Sequence, residues 1–432
     1  MRKGQLKEGK KVALYGYFED IRDLGGIKFL IFRDNEGKLQ VALNKTQIGE
    51  KLVDRILATP RESVIKVTGT VKAEPRAPGG VEIVPVRYEV VSEAEKNLPI
   101  DINKKSVSGL DLRLDWRFLD LRTHKSKLIF LISSDFERWL RDYFYKKGAV
   151  EVHTPKLMGV PSESGAELFR VEYFNKTAYL AQSPQFYKQM AICAGFEKVF
   201  EIGPVFRAEP SFTSRHVTEF TSVDAELAHI KSVNDVMRFQ EKGLAYALSK
   251  TKVKWGETIK REFGVEVAVP KLPFPRITMK EAHEILGASG KKYTENEDIS
   301  NADEAAISDY VKNKFGHDFV FVTEYPWAVR PFYHMRKRGN RNVTLSYDLL
   351  YKGLEITTGA QREHRYGVLA EQAKEKGLDT EKLAFYLNFF KYGAPPHGGL
   401  GMGLARTIKQ LLGMDSIQEV TLVPRDPNRL YP

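Results

Sequence analysis

A single cysteine, Cys193, stands among 432 residues, so no internal disulfide can form and no cysteine cluster is available to a metal. A reducing, cytoplasmic setting is the expectation. No apolar run approaches the length needed to cross a membrane, and none follows Met1-Arg2-Lys3, so neither an anchor nor a secretory leader is expected. Internal repeats and low-complexity tracts are lacking too. So are a GK[ST] phosphate loop, a GxGxxG fingerprint and any Ser-His-Asp or cysteine-nucleophile arrangement. What the chain has is charge: 67 Lys and Arg against 56 Asp and Glu, a net +11 and a pI near 9.3. That balance fits a polyanionic partner, although many basic proteins bind no nucleic acid.

The length suffices for two domains. Residues 1–95 read as five short strands: 12–18, 27–32, 39–43, 63–69 and 80–84. A helix from Lys45 to Leu57 separates the third strand from the fourth. That is the plan of an OB-fold barrel, whose sheet face takes single-stranded nucleic acid on aromatic platforms. Phe29 and Gln40 fall on adjacent strands, where they can offer a ring and an amide to one unpaired base; Phe29 as plain core is the alternative. Residues 96–125 are polar and fit a hinge. Beyond it, Leu128, Ile132, Phe136, Trp139, Leu140, Tyr143 and Phe144 trace one face of a helix ending at Gly148. A strand 150–153 and Pro155 follow. The remainder to 432 alternates strands and helices, so the expected class is α+β, with a mostly antiparallel sheet flanked by helices.

Two segments carry most of the chemistry. Phe206-Arg207-Ala208-Glu209 and Arg215-His216 sit at the mouth of a hairpin formed by strands 199–206 and 220–228. In an extended strand Arg207 and Glu209 share a face, as do Asp224 and Glu226. An arginine fork suits phosphate oxygens, and a carboxylate can accept from the amine of a base; ordinary surface ion pairs are the competing reading. Gly398 to Arg406 reads as a glycine-rich loop running into a helix marked by Leu404, Ile408, Leu411 and Leu412, with Gly413 as its cap.

These segments, with the one around Pro155, resemble motifs 2, 3 and 1 of class II aminoacyl-tRNA synthetases, and most closely aspartyl-tRNA synthetases of the compact archaeal and eukaryotic type. The resemblance extends over nearly the whole chain through Arg22-Asp23-Leu24-Gly25-Gly26, Gln182-Ser183-Pro184-Gln185, Gln361-Arg362-Glu363-His364-Arg365, Pro395-Pro396-His397-Gly398-Gly399 and Pro424-Arg425-Asp426. No large insertion separates motifs 2 and 3.

The resemblance implies a homodimer, built through the helix-strand-proline unit, that binds ATP, L-aspartate, Mg2+ and tRNA(Asp), and possesses no membrane association. It implies that Arg207, Arg406 and Glu355 serve catalysis. The ATP site would comprise Arg207, Ala208, Glu209, Arg215, His216, Val217, Glu355, Gly403, Leu404, Ala405 and Arg406. Aspartate would meet Glu163, Gln182, Gln185, Phe186, Tyr187, Lys188, Arg207, Asp224, Thr358 and Arg362. Magnesium would sit at Asp348, Glu355 and Thr358, brought together by a turn near Lys352-Gly353. Lys188 and Arg362 argue for aspartate, since a neutral amide would leave two buried cations partly uncompensated, at roughly several kcal/mol. The barrel would read the central anticodon base with Phe29, Gln40 and Glu82. Pro78 resembles enzymes that also accept tRNA(Asn), where strict ones carry lysine, and Glu19 near the same surface is not a bulky aromatic.

The chain departs from the family pattern at Ser164 after Glu163, Pro210 after Glu209 and Ala360 before Gln361. Asparagine–tRNA ligase is the alternative enzyme; an RNA-binding or tRNA-independent amide-forming paralogue is the alternative of another class.

Overall fold

The computed structural model describes residues 6–432 except 26, 36, 103–107, 162–166, 211–212 and 289. The chain divides into two units, Met1–Trp116 and Arg117–Pro432.

In the first unit, β1 (Lys11–Asp23), β2 (Lys28–Asp34), β3 (Gly37–Leu43), β4 (Val64–Ala73) and β5 (Val81–Ser92) close into a barrel in the order β1-β2-β3-β5-β4. Alternation does the work: Leu30 and Phe32, Leu39 and Val41, and Ile65 and Val67 point inward and are essentially buried, while their neighbours form the outer face. The strands run longer than the sequence pattern suggests. The helix expected over 45–57 is two, Lys45–Ile48 and Glu50–Ala58. Gly49, at φ 85°, breaks them.

The expected hinge is partly folded. It holds the short helices Leu110–Asp115 and Arg117–Asp120. Arg117 is buried; it donates to Leu422 O at 3.0 Å and Glu419 O at 2.9 Å, and pairs with Asp120 at 2.6 Å. That end of the segment is thus anchored within the second unit.

The second unit centres on an eight-stranded sheet. Its strands are β6 (Val150–Glu151), β7 (Lys198–Phe206), β8 (Glu219–Ala228), β9 (Arg276–Thr278), β10 (Phe319–Thr323), β11 (Ser346–Tyr351), β12 (Leu354–Gln361) and β13 (His397–Gly403), in the order β9-β10-β11-β12-β13-β8-β7-β6. Pairing is antiparallel except at the two ends. Helix His124–Lys146 buries all seven residues of its expected face and shares one core with helix Val233–Phe263 and the sheet. The strand expected over 150–153 spans only Val150–Glu151, although Val152 N still donates to Phe200 O at 2.9 Å. Beyond it the Glu201 carboxylate accepts from Thr154 N at 3.1 Å and Thr154 Oγ1 at 2.7 Å.

Among the described residues no helix is long and apolar enough to cross a membrane.

Candidate active site

Along β8, Val223, Ala225 and Leu227 face the main core, so Ser222, Asp224 and Glu226 face the other side of the sheet. There a cavity of about 240 Å3 opens. The neighbouring strand makes room for the acids. Register sets Gly401 beside Asp224 and Gly399 beside Glu226. A Cβ at Gly399 would stand 2.0 Å from Glu226 Oε2 and 2.2 Å from Ala225 O. The glycine-rich run is therefore a strand inside the sheet, not the expected loop, and its missing side chains accommodate carboxylates. Gly401, Gly403, Ala405 and Arg406 line the cavity; Leu404 turns into the core.

Helix Gln185–Cys193 presents Gln185 and Lys188, one turn apart, to the cavity. Phe186 faces away and packs on Tyr386 with ring centroids 4.3 Å apart. Tyr187 packs against the same apolar cluster, so both leave the expected aspartate set. Lys188 Nζ reaches Asp224 Oδ1 at 2.7 Å, Leu400 O at 2.9 Å and Glu226 Oε2 at 3.6 Å. Arg362 donates to Glu226 Oε1 at 3.0 Å, Gln185 Oε1 at 3.1 Å and His334 Nε2 at 3.1 Å. Burial would raise the Glu226 carboxyl, but Arg362 and Lys188 hold it below its ordinary value. The two cations already face two anions. An excess of positive charge from Lys188 and Arg362 therefore does not by itself select an acidic substrate, a correction to the sequence argument.

The other end of the cavity is more open. β7 ends at Phe206, and Ala208 N leaves the strand to donate to Glu167 O at 2.9 Å. Arg207 and Glu209 thus lie beyond the strand, yet both line the cavity, 3.9 Å apart. Ala208 does not line it. Arg207 stands 5.6 Å from the Phe220 ring. Arg215, His216 and Val217 complete this end. His216 bonds Thr213 Oγ1 at 2.7 Å through Nδ1; burial pushes its pKa down, against the pull of Glu209.

Between the two ends lies the β11–β12 hairpin. Lys352 and Gly353, at φ 47° and 82°, form its turn. Leu350 opposes Glu355, but Leu349 opposes Thr357 and Asp348 opposes Thr358, so Ile356 is a bulged residue. The turn alone sets Asp348 and Glu355 on one face; the bulge brings Thr358 to it in place of Thr357. Thr358 Oγ1 donates to Glu355 Oε1 at 3.1 Å. Asp348 is covered by Arg330 at 2.5 Å and lies behind the cavity wall. Burial and the nearby Glu355 charge push Asp348 up to about 6, against Arg330. Burial pushes Glu355 up too, but Arg406 and Arg330 bring it below its ordinary value. Arg406 Nη1 donates to Glu355 O at 3.1 Å. Among the described residues no three His, Cys, Asp or Glu side chains form a metal cage. Two carboxylates and a hydroxyl, with the Asp348 Oδ1 buried and accepting no hydrogen bond, suit a hard cation that keeps several waters.

Sequence reasoning missed Phe220, Arg330, Tyr333 and His334, all on the cavity wall, and Glu304 behind it. The strand alternation that exposes Phe220 was readable; Arg330 belongs to no motif and arrives through its long-range ion pair. Gln182 and Gln185 line the cavity as expected. Glu163 and Ser164 lie outside the described residues, as does Gly26. Pro210 is exposed, and Ala360 is fully buried between Ser346 and Gly399.

On the barrel, Phe29 is half-buried and pairs with Ala42, while Gln40 pairs with Ile31, so Phe29 and Gln40 are diagonal neighbours on one face. Gln40 Nε2 donates to Glu82 Oε2 and Lys72 Nζ to Glu82 Oε1, each at 3.1 Å. Pro78 opens the turn Pro78–Gly80 before β5. Glu19 is buried and paired with Arg33 and Lys38 instead of presenting itself on an open surface.

The family described as tRNA synthetases class II (D, K and N) matches residues 109–427, and that of the OB-fold nucleic acid binding domain matches residues 6–91. The chain is 44% identical over 428 residues to the aspartate–tRNA(Asp/Asn) ligase of Methanopyrus kandleri, covering 99% of this chain and 97% of the relative. It is likewise 44% identical to the aspartate–tRNA(Asp) ligase of Pyrococcus abyssi, covering 98% and 97%. A crystal structure of asparaginyl-tRNA synthetase from Pyrococcus horikoshii complexed with asparaginyl-adenylate superposes with a TM-score of 0.93 at 33% identity, covering 100% and 99%.

Proposed function

The chain belongs to the class II tRNA synthetases of the D, K and N group, and we propose that it is an aspartate–tRNA ligase. Its substrates are ATP, L-aspartate and tRNA(Asp), with tRNA(Asn) as a second acceptor. The observation that carries this reading is one cavity with two chemically different ends. Arg207, Arg215, His216 and Arg406 line the open end, and Lys188, Asp224 and Arg362 the buried one. The first suits a polyphosphate and a base, the second a zwitterion with a polar side chain.

The reaction needs no protein nucleophile. An aspartate carboxylate oxygen bonds to the α-phosphorus of ATP as the bond to pyrophosphate breaks. The acyl carbon then passes to a terminal tRNA hydroxyl and AMP leaves. Positioning and charge neutralisation supply the rate. Arg207 faces the α-phosphate, Glu209 accepts from the adenine amine, and Arg215 and His216 hold the terminal phosphates. Arg406 and Phe220 offer flat faces to the base. Asp348, Glu355 and Thr358 would hold Mg2+, which when bound offsets phosphate charge. Gln182, Gln185 and Asp224 orient the amino acid, while Arg362 and Lys188 fix the side-chain end.

Aspartate is favoured over asparagine by the names of the relatives 44% identical to the chain, which are aspartate ligases. Acceptance of tRNA(Asn) is supported by Pro78, which offers no donor to the first anticodon base, and by the dual name of the Methanopyrus relative. A homodimer suits the exposed apolar side chains of the helix-strand unit, Leu131, Tyr145 and Val150. A cytoplasmic enzyme suits the lone Cys193. The test is aspartate-dependent ATP–pyrophosphate exchange, followed by charging of the two purified tRNA transcripts. Exchange driven by asparagine and not aspartate would overturn the reading. A preference above about a hundredfold, or roughly 2.7 kcal/mol, for tRNA(Asp) would remove the second acceptor.

A further inference from the structure

We propose that Glu304 is a positioning residue for the terminal phosphates of ATP, holding Arg215 over the cavity. This role rests on the reading of Arg215 given above.

Arg215 lies in the connection between β7 and β8, outside the strand pairing. A long side chain in such a place has many rotamers, and a phosphate ligand spread over them binds poorly. One contact counters that freedom: Arg215 Nη1 donates to Glu304 Oε2 at 3.2 Å. The same oxygen accepts from Glu355 N at 3.1 Å. A single carboxylate atom therefore joins the loop arginine to the strand that bears Glu355, and Glu355 O in turn accepts from Arg406 Nη1. Arg215, Glu355 and Arg406 all line the cavity; Glu304 does not. It acts only through the others.

Its mount is rigid. Glu304 sits in the first turn of helix Asn301–Phe315, closed by a reciprocal cap between Ser300 and Asp303. Asp303 is further held by Lys291 and Tyr293 at 2.7–2.8 Å. Glu304 is 8% exposed, so water competes little for the pair. No residue of this helix lines the cavity; the Glu304 carboxylate, through Arg215 and Glu355 N, links the helix to the nucleotide end.

The experiment measures pyrophosphate exchange in the full-length Glu304→Ala, Glu304→Gln and Arg215→Ala proteins and in the Glu304→Ala/Arg215→Ala double variant. Glu304→Ala is expected to raise the KM for ATP about tenfold while kcat and the KM for aspartate stay within about twofold. Glu304→Gln keeps an acceptor for Glu355 N but loses the charge, and should give a smaller rise. In the double variant the loss of Glu304 should add almost nothing to that of Arg215. If it adds its full factor, Glu304 serves the strand alone and the proposal falls. It falls also if kcat and both KM values worsen together. Should the alanine variant not fold, a wild-type ATP KM in Glu304→Gln overturns it. Arg215→Ala without effect would instead remove the reading of Arg215, a distinct outcome from Arg215→Ala impaired with Glu304→Ala intact.

Discussion

The two ends of the cavity solve opposite problems with similar residues. At the buried end the side chains of Lys188, Asp224, Glu226 and Arg362 are between 0 and 4% exposed, and every charge meets a counter-charge. At the open end the Arg207 side chain is 42% exposed and that of His216 26%, and their pairs are longer, at 3.9 and 3.5 Å. A buried charge without its partner costs several kcal/mol, whereas a half-exposed one is satisfied by water. The buried end must therefore be assembled as the protein folds. At the open end Arg207 and His216 are free to exchange their long internal contacts for phosphate oxygens.

That contrast can be broken by substitution. The largest effect should come from Arg362→Ala, which strands Glu226 in a dry site with Lys188 3.6 Å away. A loss of about 3–5 kcal/mol in denaturant unfolding is expected, with Arg362→Lys recovering part of it. Equality of Arg362→Ala with wild type would mean that the buried end is not an interdependent network. Next, Arg207→Ala and Arg406→Ala should lower exchange by about 10²–10³-fold, or about 2.7–4 kcal/mol, while unfolding shifts by less than about 1 kcal/mol. A stability loss as large as that of Arg362→Ala would erase the distinction between the ends.

Acidification should separate them by sign. Glu226 is depressed, so its stabilisation is present above its ordinary value of 4.5 and is lost as pH falls through the lower folded value. Glu304 is pushed up to about 7, by burial and the Glu355 charge. It therefore destabilises at pH above 7 and relaxes as pH falls towards 4.5, a change of up to about 3 kcal/mol. Melting temperatures between pH 8 and 3 for wild type, Glu226→Gln and Glu304→Gln should show two slopes of opposite direction. One slope for both variants would contradict the assignment. The smallest effect belongs to the barrel surface, where nothing is buried at Pro78's turn to be disrupted. Pro78→Lys should shift charging about tenfold, or 1.4 kcal/mol, from tRNA(Asn) towards tRNA(Asp), with the unfolding curve unmoved.

Much of this site was legible in the residues themselves. Arg207, Glu209, Arg215 and His216 stand within ten positions, and two strands must bring them to one rim. Gln185 and Lys188 announce a shared helix face by spacing, which also explains why Phe186 and Tyr187 fall elsewhere. The glycine run misled because glycine signals close approach without saying of what. The approach here is of Glu226 to a strand backbone, a fact of register between β8 and β13.

The sequence by itself determined the family, the order of barrel and catalytic unit, and which side chains are present to bind ATP and an amino acid, since short motifs and periodicity are local properties. Only the tertiary structure decided that Arg362 meets Glu226 across 136 positions, that Arg330 covers Asp348, and that a bulge at Ile356 turns Thr358 and not Thr357 to the acids. Such pairings depend on strand register and on the cost of burying a charge unpaired. Neither quantity exists until the chain has closed on itself.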